Sequence, residues 1–276
     1  MQKLGLLSFF VLIACSSTAL KQDGIEQQRS LIEISDLYAA GHEQLELVLE
    51  TEPALGKMLD SNLASTLLIT LTIEYEDGEK ERVQQSGSFI SKGDYILTAG
   101  HGFYVDSGKL IDLEAQTISR QKLALNVVAL GYSKDEYSKQ DWAILQPVNL
   151  RRTTSLEFVP TGYSCKDAYI LGFPGGMGLN DSSRVVHALE IDEGSVYPLV
   201  VICERSLTRP GILTPKVGAI PVQGMSGAPV LSNNGQLIGL FSSISRTRNV
   251  AGWHYIFHMS DIPFKTLDSL SSLVLN

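Results

Sequence analysis

An all-β domain flanked by helical segments is what the 276-residue sequence predicts, on three observations. Short runs rich in Val, Ile, Leu and aromatic residues recur from Ser65 onward. Clusters of Gly, Pro, Asn and Asp separate them, and helical spacing of apolar residues is confined to the two ends. Many short strands with turn signals between them build a barrel or a sandwich. A hydrophobic content of 44% is enough for a sizeable core.

Taken in order, residues 25–62 carry Leu, Ile and Val among Glu and Gln in rough helical spacing, broken near Gly41 and Pro53. This predicts one or two helices ahead of the main domain. After Ser65 the period changes to that of strands: "TLLITLTIEY" and "KERVQQSGSFIS" flank "EDG", a hairpin turn, and "DYILTAG" follows. Further strand-like runs are "LALNVVALGY", "DWAILQPV", "DAYILGF", "RVVHALEI", "PLVVICER", "APVLSNNGQLIGLFSSI" and "WHYIFHM". The tail "SDIPFKTLDSLSSLVL" returns to helical spacing, with Ser260 or Asp261 as the expected cap.

Charge narrows the function classes. The formal net charge is −8 and no run of Lys and Arg occurs, which argues against a nucleic-acid partner, since phosphate binding needs clustered cations. Metal binding is not expected either. His254 and His258 lie in a strand-like run, where an i, i+4 pair stands about 13 Å apart, and no cysteine has a zinc-type spaced partner. No cofactor is expected.

The amino terminus "MQKLGLLSFFVLIAC" places a lysine before an apolar run that is too short to span a bilayer and fits a secretory signal. "LIAC", Leu12 to Cys15, resembles the lipobox of bacterial lipoproteins, in which cleavage falls before a cysteine that is then lipid-modified. The resemblance implies a signal over residues 1–14, a lipid on Cys15, and a chain tethered in the bacterial cell envelope. Ser16 and Ser17 follow, with no aspartate, which in a Gram-negative cell favours the outer membrane. Cys165 and Cys203 then remain, as a disulfide in an oxidising compartment or as buried free thiols.

The stretch "VQGMSGAPV" raises the question of a nucleophile. Gly, Ser and Pro together mark a tight turn, but a serine with a base, and an acid to orient that base, is a catalytic unit. Two further stretches supply those groups: His101 follows "ILTAG" at a strand end, and Asp141 opens "DWAIL". Together "TAGH", "DWAIL" and "GMSGAP" resemble the chymotrypsin-like (trypsin-like) serine proteases, in particular their compact bacterial branch. "GFPGG" is similar to the loop after the first strand of that family's second barrel. Order and separations agree with the family. They disagree with α/β-hydrolases, where the serine comes first in G-x-S-x-G; here Ala228 stands at the last glycine.

The resemblance implies two antiparallel six-stranded barrels with a cleft between them, an amino-terminal helical segment and a carboxy-terminal helix. It divides the chain into a tether over 15–62 and a peptidase domain over 63–276, with the barrel boundary near 150–165. It implies a His101, Asp141, Ser226 triad, an oxyanion hole from the N–H groups of Gly224 and Ser226, and a protein or peptide substrate. Ser242 is then the partner of Asp141, with Ser243 and Ile244 on the substrate-binding edge. Met225 replaces the aspartate that zymogen-activated relatives carry before the serine. Ile220 and Pro221 fall at the floor of the specificity pocket, Phe241 replaces the histidine of glutamate-specific relatives, and Ile244 narrows the opening. This implies small or medium aliphatic residues before the cut, with His254 the residue most able to favour an acidic one. The alternative is a non-catalytic envelope lipoprotein that uses a protease-like scaffold for binding; such proteins lose a triad member, and here all three are present.

Overall fold

A computed structural model of the chain describes residues 52–90, 94–105, 107–117, 119, 121–132, 140–148, 154–159, 166–173, 199–205, 211–218, 224–249 and 252–273. The expected helical spacing of residues 25–51 and the expected strand "RVVHALEI" lie outside them.

The first described element is a helix, α1 (Pro53–Leu63), with proline in its first turn, where the missing N–H costs nothing. Leu55 and Leu59, one turn apart, are its buried residues.

Six strands follow: β1 (Thr66–Tyr75), β2 (Lys80–Ile90), β3 (Tyr95–Thr98), β4 (Gly108–Thr117), β5 (Lys122–Tyr132) and β6 (Asp141–Pro147). They close a barrel in the order β1-β2-β3-β6-β5-β4. The "EDG" segment makes the expected turn between β1 and β2, with Gly78 N–H donating to Tyr75 O at 2.9 Å. Leu67, Ile69, Leu71 and Ile73 alternate along β1 and fill the barrel with Phe89, Ile96 and Leu145.

The second barrel is built from β7 (Asp167–Gly172), β8 (Leu199–Arg205), β9 (Ile212–Gly218), β10 (Pro229–Leu231), β11 (Leu237–Asn249) and β12 (Gly252–Ser260). It closes as β10-β11-β12-β9-β8-β7, the same topology as the first. A helix, α2 (Phe264–Leu273), follows. Between the barrels lies a third apolar cluster in which Tyr95, Leu97 and Ile144 of the first meet Leu171, Leu231, Leu237 and Leu240 of the second, with Leu55 and Leu59 of α1 and Leu267 of α2.

Two strands have no counterpart among the expected runs. β4 is polar and half-exposed along most of its length, so its apolar period is weak. β9 contains Pro215, a residue that argues against a strand, but Pro215 pairs with Cys203 where the β8–β9 register shifts, and a bulge is where a sheet accepts proline. The expected cap of α2 also differs. The helix starts at Phe264, and the Ser260 hydroxyl accepts the Asp141 N–H at 3.1 Å instead.

Candidate active site

The site is assembled from strand ends. Chain leaving β3 passes Ala99 and Gly100 into a single 3₁₀ turn, His101–Phe103. In the sheet Thr98 pairs with Ala143, so the first residue of the neighbouring β6, Asp141, comes to lie beneath that turn.

Asp141 is fully buried, and four donors hold its carboxylate. One oxygen accepts the N–H groups of Gly100 at 2.9 Å and His101 at 2.8 Å. The other is 2.9 Å from His101 Nδ1 and accepts the Ser242 hydroxyl. Burial pushes the carboxyl pKa up, but the His101 imidazole, the Ser242 hydroxyl and the His101 amide more than offset it, so the group is held below the ordinary carboxylate range. Asp141 is therefore an anion at neutral pH, and the His101 side chain, 18% exposed, bridges it to the solvent side.

Ser226 lies on the turn between β9 and β10. Met225 before it is buried in the core of the second barrel, while Gly224 and Gly227 adopt φ of +94° and +81°, a region open to glycine. The turn is pinned on one side by Gly227 N–H to Phe241 O at 2.7 Å and by Phe241 N–H to Ala228 O at 2.8 Å. On the other side a Cβ at Gly227 would lie 2.5 Å from Ala99 N and still closer to Ser86 O and Thr98 Oγ1, which puts Gly227, the residue after Ser226, against the segment leading into His101. The Ser226 hydroxyl points to Ser242 O at 3.5 Å, and among the described residues no hydrogen bond joins it to His101. Neither the Gly224 nor the Ser226 N–H donates a hydrogen bond among the described residues.

Ser242 links the two halves because β11 bulges there. The β11–β12 register shifts between Phe241 and Ser243, so Ser242 turns its hydroxyl to Asp141 and its carbonyl to Ser226. Phe241 is buried in the second barrel's core, Ile244 packs against that core from a half-buried position, and Ser243 is half-buried between them. Cys15, Cys165, Ile220 and Pro221 lie outside the described residues. The backbone of His254 pairs with Thr247 in the β11–β12 ladder.

For Cys165 and Cys203 the sequence left a disulfide or buried free thiols open, and only Cys203 lies among the described residues. Cys203 is a free thiol, fully buried among Ala168, Leu213 and Met259, and burial pushes its pKa well up. Its side chain is directed into the barrel, where it packs as a small apolar residue. Among the described residues no group of three or more His, Cys, Asp or Glu gathers as metal ligands would.

Four residues of this region were not expected from sequence. Gln85, Ser86, Thr98 and Ser260 are polar yet nearly or fully buried, and each bonds to a segment of the site. For Gln85 and Ser86 the signal in sequence was polar side chains inside the strand-like run "VQQSGSF".

Residues 85–240 match the family model of the trypsin-like peptidase domain. That is more than half of the 276 residues, and the chain belongs to this family. No curated protein matches it by sequence. Among solved structures, a protease from M. tuberculosis in its active form is similar at 18% identity and a TM-score of 0.46, over 73% of this chain and 78% of that one.

Proposed function

We propose that the chain is a lipid-anchored serine endopeptidase that cleaves protein substrates through His101, Asp141 and Ser226 and an acyl-enzyme. The observation that carries this reading is the buried Asp141 carboxylate. It is bonded to the His101 imidazole at 2.9 Å and joined through Ser242 to the turn that bears Ser226.

The chemistry follows from the proton positions. An anionic Asp141 keeps the proton of neutral His101 on Nδ1, which leaves Nε2 as a base. Rotation about the Ser226 Cα–Cβ bond takes its hydroxyl off Ser242 O and toward Nε2. The proton then passes to Nε2 as Oγ attacks the scissile carbonyl. The negative oxygen is met by the N–H groups of Gly224 and Ser226; one such donor contributes on the order of 3 kcal/mol to the transition state. The imidazolium next protonates the leaving amine, and water repeats the sequence on the ester. The non-catalytic alternative is favoured by one observation alone, the Ser226 hydroxyl resting on Ser242 rather than on His101.

In this reading residues 1–14 are the signal, Cys15 carries the lipid, 15–62 form the tether and 63–276 the peptidase. Ile220 and Pro221 floor an apolar pocket that Ile244 narrows. Each methylene buried there contributes about 0.8 kcal/mol until the side chain outgrows the space. The test is a peptide library with cut sites read by mass spectrometry. Wild type is expected to cut after Ala, Val or Leu, and Ser226→Ala to lose about 10⁴-fold or more in turnover. Equal cutting by Ser226→Ala would refute the mechanism, and a dominant Lys, Arg or Glu before the cut would refute the pocket.

A further inference from the structure

Ser86 sits on β2 of the first barrel, fully buried, yet every hydrogen bond of its side chain crosses to the second. Its Oγ accepts the Phe173 N–H at 2.8 Å and donates to the Gly224 carbonyl at 2.9 Å, with the Phe173 carbonyl a longer contact at 3.3 Å. A hydroxyl has one proton to give, and here it is placed on the turn that carries Ser226. The backbone of the same residue adds two bonds. Its N–H donates to the Ser226 carbonyl at 2.8 Å, and its carbonyl accepts the Thr98 hydroxyl at 2.6 Å, three residues before His101. The preceding residue, Gln85, braces the other side: its Nε2 donates to Thr98 Oγ1 at 2.9 Å and to Ala99 O at 3.2 Å, under the His101 turn.

We infer that Ser86 is a positioning residue for the reaction. It holds the Gly224 and Ser226 carbonyls against the first barrel, and so fixes where the N–H groups and the hydroxyl of that turn lie relative to His101. The inference rests on the peptidase reading above. Ser86 does not touch the reacting atoms. Its effect is on geometry, and a misplacement near 1 Å is enough to cost about 10²-fold in rate.

A matched control exists on the same strand. Ser88 is fully buried like Ser86, but among the described residues its hydroxyl has no hydrogen-bond partner. The experiment is steady-state kinetics on a peptide that wild type cuts, with Ser226→Ala, Ser86→Ala and Ser88→Ala in parallel. Ser86→Ala is expected to lower kcat by about 10- to 100-fold while KM stays within about twofold, and Ser88→Ala to leave both unchanged. Wild-type kcat in Ser86→Ala, equal losses in both alanine variants, or a raised KM at unchanged kcat would overturn the inference. Should Ser86→Ala fail to fold, Ser86→Cys, a weaker donor, carries the same test: lowered kcat at unchanged KM supports the inference and wild-type kcat overturns it. If wild type does not exceed Ser226→Ala, the peptidase reading falls and takes this inference with it. If wild type is active and Ser86→Ala matches it, the inference alone falls.

Discussion

Gly227 carries two constraints at one position. Its φ of +81° is a region that side-chain-bearing residues adopt with strain, and a Cβ there would collide with backbone atoms of Ser86 and Ala99, which cannot swing aside. The φ alone costs about 1–3 kcal/mol in a non-glycine residue. Gly227→Ala is therefore expected to lower the urea midpoint by at least that equivalent, and to lower activity with it by pushing Ser226 away from His101. A wild-type midpoint would show that the turn is not wedged between the barrels. At this scale the pairing of His101 with Asp141 was legible in sequence, because each sits in a short distinctive stretch at a strand end. Ser86 and Gln85 were not, because their importance lies in contacts between segments far apart in the chain, as in the bond from Ser86 to Gly224.

Strands β11 and β12 form the longest ladder of the second barrel, and one side-chain pair on it titrates. His258 is partly buried, burial pulls its imidazole pKa below the ordinary 6.5, and its Nε2 lies 2.6 Å from Ser245 Oγ. A histidine that binds its proton less readily folded than unfolded gives stability that is full above the unfolded value. That stability is lost as pH falls from about 6.5 through the folded value. The expected outcome is that wild-type melting temperature drops more steeply on acidification below about pH 6.5 than that of His258→Gln. Parallel curves would contradict it. Most strands were legible from their apolar runs; β4 and β9 were hidden, one by its polar and exposed face, the other by Pro215 at a bulge. The bulge at Ser242 is likewise invisible in "LIGLFSS", although it is what turns one residue toward both Asp141 and Ser226.

On the scale of the molecule, two barrels of one topology face each other across an apolar cluster that α1 and α2 complete. No internal repeat is visible in the sequence, since a barrel demands alternation and register rather than particular residues. The two-barrel fold was therefore legible through the resemblance of three motifs, while composition alone reached only a barrel or sandwich. α1 packs on the junction of the barrels through Leu55 and Leu59. If residues 15–62 tether the domain through Cys15, then Cys15→Ala is expected to abolish incorporation of labelled lipid and to release the protein from the membrane fraction, and unchanged labelling would exclude the anchor. The central claim is that Ser226 is a nucleophile activated by His101. It is tested most directly by reaction with a fluorophosphonate probe, the modified residue located by mass spectrometry. Wild type is expected to carry the adduct on Ser226 and His101→Ala to react far more slowly, because the serine loses its base; an adduct elsewhere, or labelling of Ser226→Ala at the wild-type rate, would contradict it.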